Sequence, residues 1–193
     1  MSALKQQLGD YMKNVAANLK HSPLGRLEKA AELILTAGNK GNWIYLAGNG
    51  GSASTASHFA NDLVKGLAVE NNLRFKAQAL EDSVSTITAL ANDLDYSEIY
   101  REQLKNFTSP GDIFIPISGS GNSVNVVKAA QYAQKNRVTV ISFTGRDGGR
   151  LKQYSDLCCI APTEIMEQIE DIHLVWEHAL ITVLRDKIRH PGG

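Results

Sequence analysis

The chain has 193 residues, 43% of them hydrophobic and 21% charged, with 20 Lys+Arg balancing 20 Asp+Glu. That is enough for one ample domain with a real core, and its zero net charge lacks the basic footprint of a nucleic-acid binder. No apolar run approaches the ~20 residues that span a bilayer, and the opening MSALKQQLGDYMKNVAANLK is amphipathic without a signal-peptide core, so a cytoplasmic protein is expected.

In chain order, Leu4, Leu8, Tyr11, Met12, Val15 and Leu19 recur at helical spacing over 3–20, and His21-Ser22-Pro23 ends the pattern. A second helix fits 24–37 with Gly38 as its stop. A short apolar run, WIYLA at 43–47, then reads as the first strand, followed by a helix over 52–65. Residues 75–80 form the next strand candidate, and 83–91 and 95–106 read as helices. DIFIPIS at 112–118 is a third strand, although Pro116 argues against a strand interior. A helix over 123–135, a strand at 138–143, a short helix at 147–154 and a strand at 157–161 follow. The last helix spans 163–189. Cys158 and Cys159 are neighbours on a strand, so they point to opposite faces and do not form a disulfide with each other.

Strands alternating with helices predict an α/β fold: a parallel sheet covered on both faces, a three-layer αβα sandwich. Ligands in such sheets bind beyond the carboxyl ends of the strands. Two of those ends carry unusual loops, Gly48-Asn49-Gly50-Gly51-Ser52 and Ser118-Gly119-Ser120-Gly121-Asn122-Ser123. Glycine lets the backbone approach a ligand, unpaired N–H groups at a helix start favour an anion, and serine hydroxyls add short donors. The loops suit a phosphate without lysine or arginine. Neither matches the Walker pattern and GNGGSA fits GxGxxG poorly, which points to a phosphorylated small molecule rather than a nucleotide.

His58 and Asp62 are four apart on one helix face, and Glu170 and His178 are eight apart on the last helix. Two histidines and two carboxylates from two helices suit a divalent metal, an acid–base pair, or plain helix-surface ion pairing. His173 reads as structural and Glu177 as a solvated charge.

AGNGGSASTASHFAND, ANDLDYSEIY, PISGSGNSVNVVKAA, FTGRDGG and QIEDIHLVWEH together resemble the sugar isomerase (SIS) domain, and within it the phosphoheptose isomerase family. The similarity covers nearly the whole chain. It implies a single SIS domain over 1–193 with a five-stranded parallel sheet, its 1–38 helical extension used in oligomerisation. It also implies a homotetramer with active sites between subunits, and conversion of D-sedoheptulose 7-phosphate to D-glycero-D-manno-heptose 7-phosphate for lipopolysaccharide or related glycans. By motif, Ser52, Ser118, Gly119, Ser120 and Ser123 would hold the phosphate, and Asn49, Gly50, Gly51, Asn92, Asp93 and Glu170 would line the substrate site. Asp62 and His178 would be catalytic, and His58, Asp62, Glu170 and His178 would hold Zn²⁺. Neither a nucleic-acid nor a membrane partner is implied.

The chain departs from the family pattern at Asp62, where the family carries Glu, and at Glu170, where it carries Gln. The loop Ser-Thr-Ser is also Ser118-Gly119-Ser120 here. Asp62 reaches about 1.3–1.5 Å less than a glutamate, and Glu170 adds a negative charge. Two rivals follow: an isomerase for another phosphosugar, and a non-catalytic relative resembling the DnaA-initiator-associating protein. The latter lacks the last-helix histidine that stands here as His178.

Overall fold

The apolar runs become strands because each buries residues of alternating orientation under helices on two sides. The computed structural model describes residues 2–68 and 73–190. Its elements run α1 (Ala3–Leu19), α2 (Leu24–Lys40), β1 (Trp43–Ala47), α3 (Gly51–Asn61), β2 (Lys76–Ala79), α4 (Val84–Asp93), α5 (Ile99–Phe107), β3 (Ile113–Ser118), α6 (Val124–Lys135), β4 (Thr139–Thr144), β5 (Leu157–Ile160) and α7 (Met166–Arg189). The sheet is parallel throughout, in the order β2-β1-β3-β4-β5.

Successive strand residues serve different layers. Ile44, Leu46, Ile115 and Phe143 face one core with α2, α3 and α7. Tyr45, Ala47, Phe114 and Val140 face the other with α5 and α6. Cys159 lies in the first core and Cys158 is also buried, both as free thiols. Crossing from β2 to β3 passes over β1, so the strand order reverses between β1 and β3. That reversal opens the ligand crevice of a doubly wound sheet at the ends carrying the two glycine–serine loops.

Several local details differ from the sequence reading. The helix expected over 52–65 changes at Asp62 into a π-turn, Asp62–Gly66, where Leu67 N donates to Asp62 O (3.2 Å). Arg185 Nε on α7 donates to Gly66 O (2.9 Å) and holds that wider turn against the sheet layer. The helix expected over 95–106 starts as a 3₁₀ turn, Tyr96–Glu98. The short helix is a 3₁₀ turn over Arg150–Tyr154. Pro116 sits inside a central strand after all: it pairs with Ala47 of β1, while the β3–β4 register is interrupted between Phe114 and Ile117. Pro116 has no N–H to give to β4, and burial on both faces keeps it in the sheet.

The two leading helices differ. Leu27, Ala30 and Ile34 of α2 enter the core. No residue of α1 is buried, and Leu4, Leu8 and Met12 are exposed. Tyr11 donates to Asp171 Oδ2 (2.5 Å) and Asn18 Nδ2 to Gln168 Oε1 (2.9 Å), which moors α1 to α7. A groove of about 610 Å³ runs between α2 and α7, lined by Leu24, Leu27, Leu35, Trp176, Leu180 and Val183 among others. No helix among the described residues is long and apolar enough to cross a membrane.

Candidate active site

The loop after β1 turns on Gly50, whose φ of 56° suits glycine, before α3 begins at Gly51. No side chain caps α3, and Ser123 begins α6 without a side-chain cap bond of its own. The serines therefore do not spend their hydroxyls on the helix starts, although Ser52 N and Ala53 N bond Asn49 O and Gly50 O, and Val126 N bonds Asn125 Oδ1. Ser118 Oγ donates to Ser123 Oγ (3.3 Å), and Asn122 N donates to Ser120 Oγ (3.2 Å). Ser52 and Ser118 are nearly buried.

A reciprocal amide pair joins the loops. Asn49 Nδ2 donates to Asn125 Oδ1 and Asn125 Nδ2 to Asn49 Oδ1, both at 2.9 Å. Tyr96 Oη (3.0 Å) and Tyr100 Oη (3.3 Å) also donate to Asn49 Oδ1, and Tyr100 bonds the Gly48 carbonyl. The loop after β4 supports the second cradle: Leu151 N donates to Gly121 O (2.9 Å) and Arg150 N to Asn122 Oδ1 (3.1 Å). Asn92 donates to Asp93 (2.8 Å) at the exposed end of α4, and among the described residues their side chains make no hydrogen bond to either loop.

Glu81 lies beside this region. Neither of its oxygens has a well-formed hydrogen bond, and burial pushes its carboxyl up to about 8 although the Glu81 and Gly48 amides oppose the shift. The sequence reading gave no role to Glu81, Asn125, Tyr96 or Tyr100, although Tyr96, Tyr100 and Asn125 lie inside the quoted segments ANDLDYSEIY and PISGSGNSVNVVKAA.

The second centre is a side-chain cluster between α3 and α7. His58 Nε2 lies 3.1 Å from His178 Nε2 and 3.7 Å from Asp62 Oδ2. His178 Nε2 lies 3.4 Å from Glu177 Oε2. Ligand atoms of His58, Asp62, Glu177 and His178 all fall within 4.8 Å of one another. Ligands of a tetrahedral Zn²⁺ at 2.0–2.2 Å stand about 3.3–3.6 Å apart, so these side chains fit a divalent ion with small rotamer changes.

Two sequence expectations change here. Glu170 is not in the cluster; its carboxylate lies against Gly51, where a Cβ would collide with it. Glu170 stands eight residues before His178, about 12 Å along the helix axis, which is why sharing a face does not bring the two together. Glu177 is not a solvated charge but has 0% exposure, and neither of its oxygens has a well-formed hydrogen bond. Burial first, then the facing Asp62 carboxylate, raises its carboxyl to about 8. The available signal was its place on the buried stripe Ile169, His173, Glu177, Leu180, Ile181 and Leu184. His173 is fully buried with Nε2 bonded to Thr144 O (2.9 Å), and burial lowers its pKa to about 4.

Residues 7–145 match the SIS domain family. The chain belongs to the SIS domain family. It is 41% identical over 157 residues to the phosphoheptose isomerase of Shewanella piezotolerans, covering 80% of this chain and 79% of that one. It is 35% identical over 164 residues to the phosphoheptose isomerase of Aliarcobacter butzleri, covering 85% and 86%. The solved phosphoheptose isomerase of Neisseria gonorrhoeae superposes with a TM-score of 0.88 at 27% identity, over 95% of this chain and all of that one. In this SIS domain α3 joins the two conspicuous centres, with the looped strand ends at its start and the two-histidine cluster at its far end.

Proposed function

We propose that this protein is a phosphoheptose isomerase, an aldose–ketose isomerase that interconverts D-sedoheptulose 7-phosphate and D-glycero-D-manno-heptose 7-phosphate for heptose-containing glycans such as lipopolysaccharide core. One observation carries the reading: two glycine–serine loops without side-chain caps stand at the start of α3, the helix whose far end brings His58 and Asp62 to His178. Its relatives' names support the substrate class.

The isomerisation moves a proton between neighbouring carbons and another between their oxygens, with no net proton uptake. Ser52, Ser118, Ser120 and Ser123 hold the phosphate, with Gly50, Gly51 and Gly119 allowing its close approach. Asn49, Asn92, Asp93 and Glu170 bind the sugar chain. Anchoring the phosphate leaves the first two carbons to reach Asp62 and His178, which is where catalytic positioning has its value. Asp62, 3.7 Å from His58, is placed to take and return the carbon-bound proton. His178, whose side chain is half-exposed, is placed to carry the proton between oxygens. A bound Zn²⁺ would polarise the carbonyl and stabilise the enediolate oxygen.

Oligomerisation belongs to the same proposal. The bare apolar face of α1 and the groove between α2 and α7 suit packing of the 1–38 extension on further copies, in a cytoplasmic homotetramer whose active sites lie between subunits. The test is turnover of sedoheptulose 7-phosphate by the purified chain, metal-stripped and Zn²⁺-loaded, with sedimentation of the same sample. Substrate-specific turnover by a tetramer is expected; no turnover with either preparation would overturn the reading.

A further inference from the structure

We propose that the Tyr96 hydroxyl is a substrate-binding group that accepts a hydrogen bond from the sugar hydroxyl nearest the phosphate, and so helps to choose which phosphosugar the crevice holds. The inference rests on the isomerase reading above and adds a residue to it.

Three side chains converge on Asn49, and they differ in what each has left to give. Asn125 is 2% exposed, and its amide is spent on the reciprocal pair with Asn49 and on accepting from Val126 N (3.0 Å). Tyr100 is also buried, and its single proton serves the Gly48 carbonyl, with Asn49 Oδ1 farther away at 3.3 Å. Tyr96 is 55% exposed and donates to Asn49 Oδ1 (3.0 Å) from the open side. A phenol oxygen both donates and accepts. Among the described residues the Tyr96 oxygen accepts from nothing, so its bond to Asn49 fixes the hydroxyl while its lone pairs stay available at the crevice.

The turn that carries Tyr96 is held in place. Tyr96 opens the 3₁₀ turn Tyr96–Glu98, and Asp95 Oδ1 accepts from Ser97 N (2.8 Å). Lys128 Nζ on α6 donates to Ser97 Oγ (2.6 Å) and Glu98 Oε1 (2.7 Å), while Arg101 Nη2 lies 2.7 Å from Glu98 Oε2. A binding group works best when its neighbours already hold it in position.

The chemistry of the oxygen says what it reads. The serine hydroxyls of the two loops can donate to phosphate oxygens, whereas a sugar hydroxyl has a proton to give and needs an acceptor. Asn49 stands just before α3, and His58 and Asp62 stand at the far end of that helix. Tyr96 therefore meets the phosphate-proximal part of the sugar and not the reacting carbons. A site that hydrogen-bonds a substrate hydroxyl discriminates against chains that lack or misplace it.

The test is Tyr96→Phe in the full chain, which removes one exposed oxygen. KM for sedoheptulose 7-phosphate is expected to rise about 3–10-fold, the worth of one neutral hydrogen bond, with kcat near wild type. Competitive inhibition by inorganic phosphate, which has no sugar chain, and the thermal melt are expected to stay at wild type. Tyr100→Phe is the contrasting variant: its hydroxyl holds the buried Gly48 carbonyl, so its loss should lower the melting temperature and weaken sugar phosphate and inorganic phosphate alike. The Tyr100→Phe pattern appearing in Tyr96→Phe would make Tyr96 structural and overturn the proposal, as would a wild-type KM in Tyr96→Phe. Either result, with wild-type turnover intact, leaves the isomerase reading standing. A wild-type chain that neither turns over sedoheptulose 7-phosphate nor binds it by calorimetry removes both.

Discussion

The two glycine–serine loops and the two-histidine cluster use the chain in opposite ways. The loops work through main-chain N–H groups and short hydroxyls, and their key residues are those whose side chains stay out of the way. The cluster works through long or ionisable side chains whose value depends on distances of 3.1–3.7 Å. A backbone cradle should be sensitive to added volume and tolerant of altered charge. A side-chain cluster should show the reverse.

The contrast is broken most forcefully at the cluster. Asp62→Asn and His178→Gln keep volume while removing acid–base capacity, and each should lower kcat by about 10²–10⁴-fold with a much smaller change in KM. Steady-state kinetics on sedoheptulose 7-phosphate measures this, and unchanged turnover in either variant removes that residue from proton transfer.

The next effect is on stability and comes from His173. Its folded imidazole stays neutral down to about pH 4, whereas an unfolded one takes a proton near 6.5. Between those values the unfolded chain binds more protons, so stability falls as pH drops. The contribution is intact above pH 6.5 and about 3 kcal/mol is lost by pH 4. Urea unfolding across that window measures the slope, which His173→Gln should flatten.

Added volume tests the cradle. Gly121 has φ of 64°, and a Cβ there would strike the Gly148 carbonyl. Gly121→Ala should cost about 1–3 kcal/mol and raise KM while leaving the chemistry of bound substrate nearly intact. A loss of kcat as large as in Asp62→Asn would mean the two regions are not separable. The smallest effect is expected at Ser120→Ala. Loss of one hydroxyl contact should raise KM by about 2–10-fold with kcat preserved.

The same contrast explains what could be read from sequence. Four strands stood out because the two cores demand mostly apolar residues along them, whereas β2 is KAQA with only Ala79 buried; the loops stood out because glycine and serine cluster where strands end. The element order needed nothing beyond periodicity and breakers. Pro116 misled locally, since two-sided burial outweighs one missing N–H. The π-turn at Asp62–Gly66 left no mark, because DLVKG is as compatible with an ordinary helix and the bond to its Gly66 carbonyl comes from Arg185, far along the chain. Within the cluster, His58, Asp62 and His178 were legible as spaced ligand types that converge in space. Glu177 was not, because a charged residue beside a histidine reads as surface. Only the apolar stripe of α7, followed through Ile169, Leu180 and Leu184, places it inside. Within one chain Glu170 lies against Gly51 and apart from the cluster, since eight residues of helix are about 12 Å of axis even where the helical phase agrees.

The Asn49–Asn125 clasp has a consequence for motion. It spans the crevice between the ends of β1 and β3, and each amide is donor and acceptor to the other. Opening one loop breaks both bonds at once, so the two glycine–serine segments should exchange their protected amide hydrogens with one shared opening free energy. A ligand that closes either loop would then slow exchange in both.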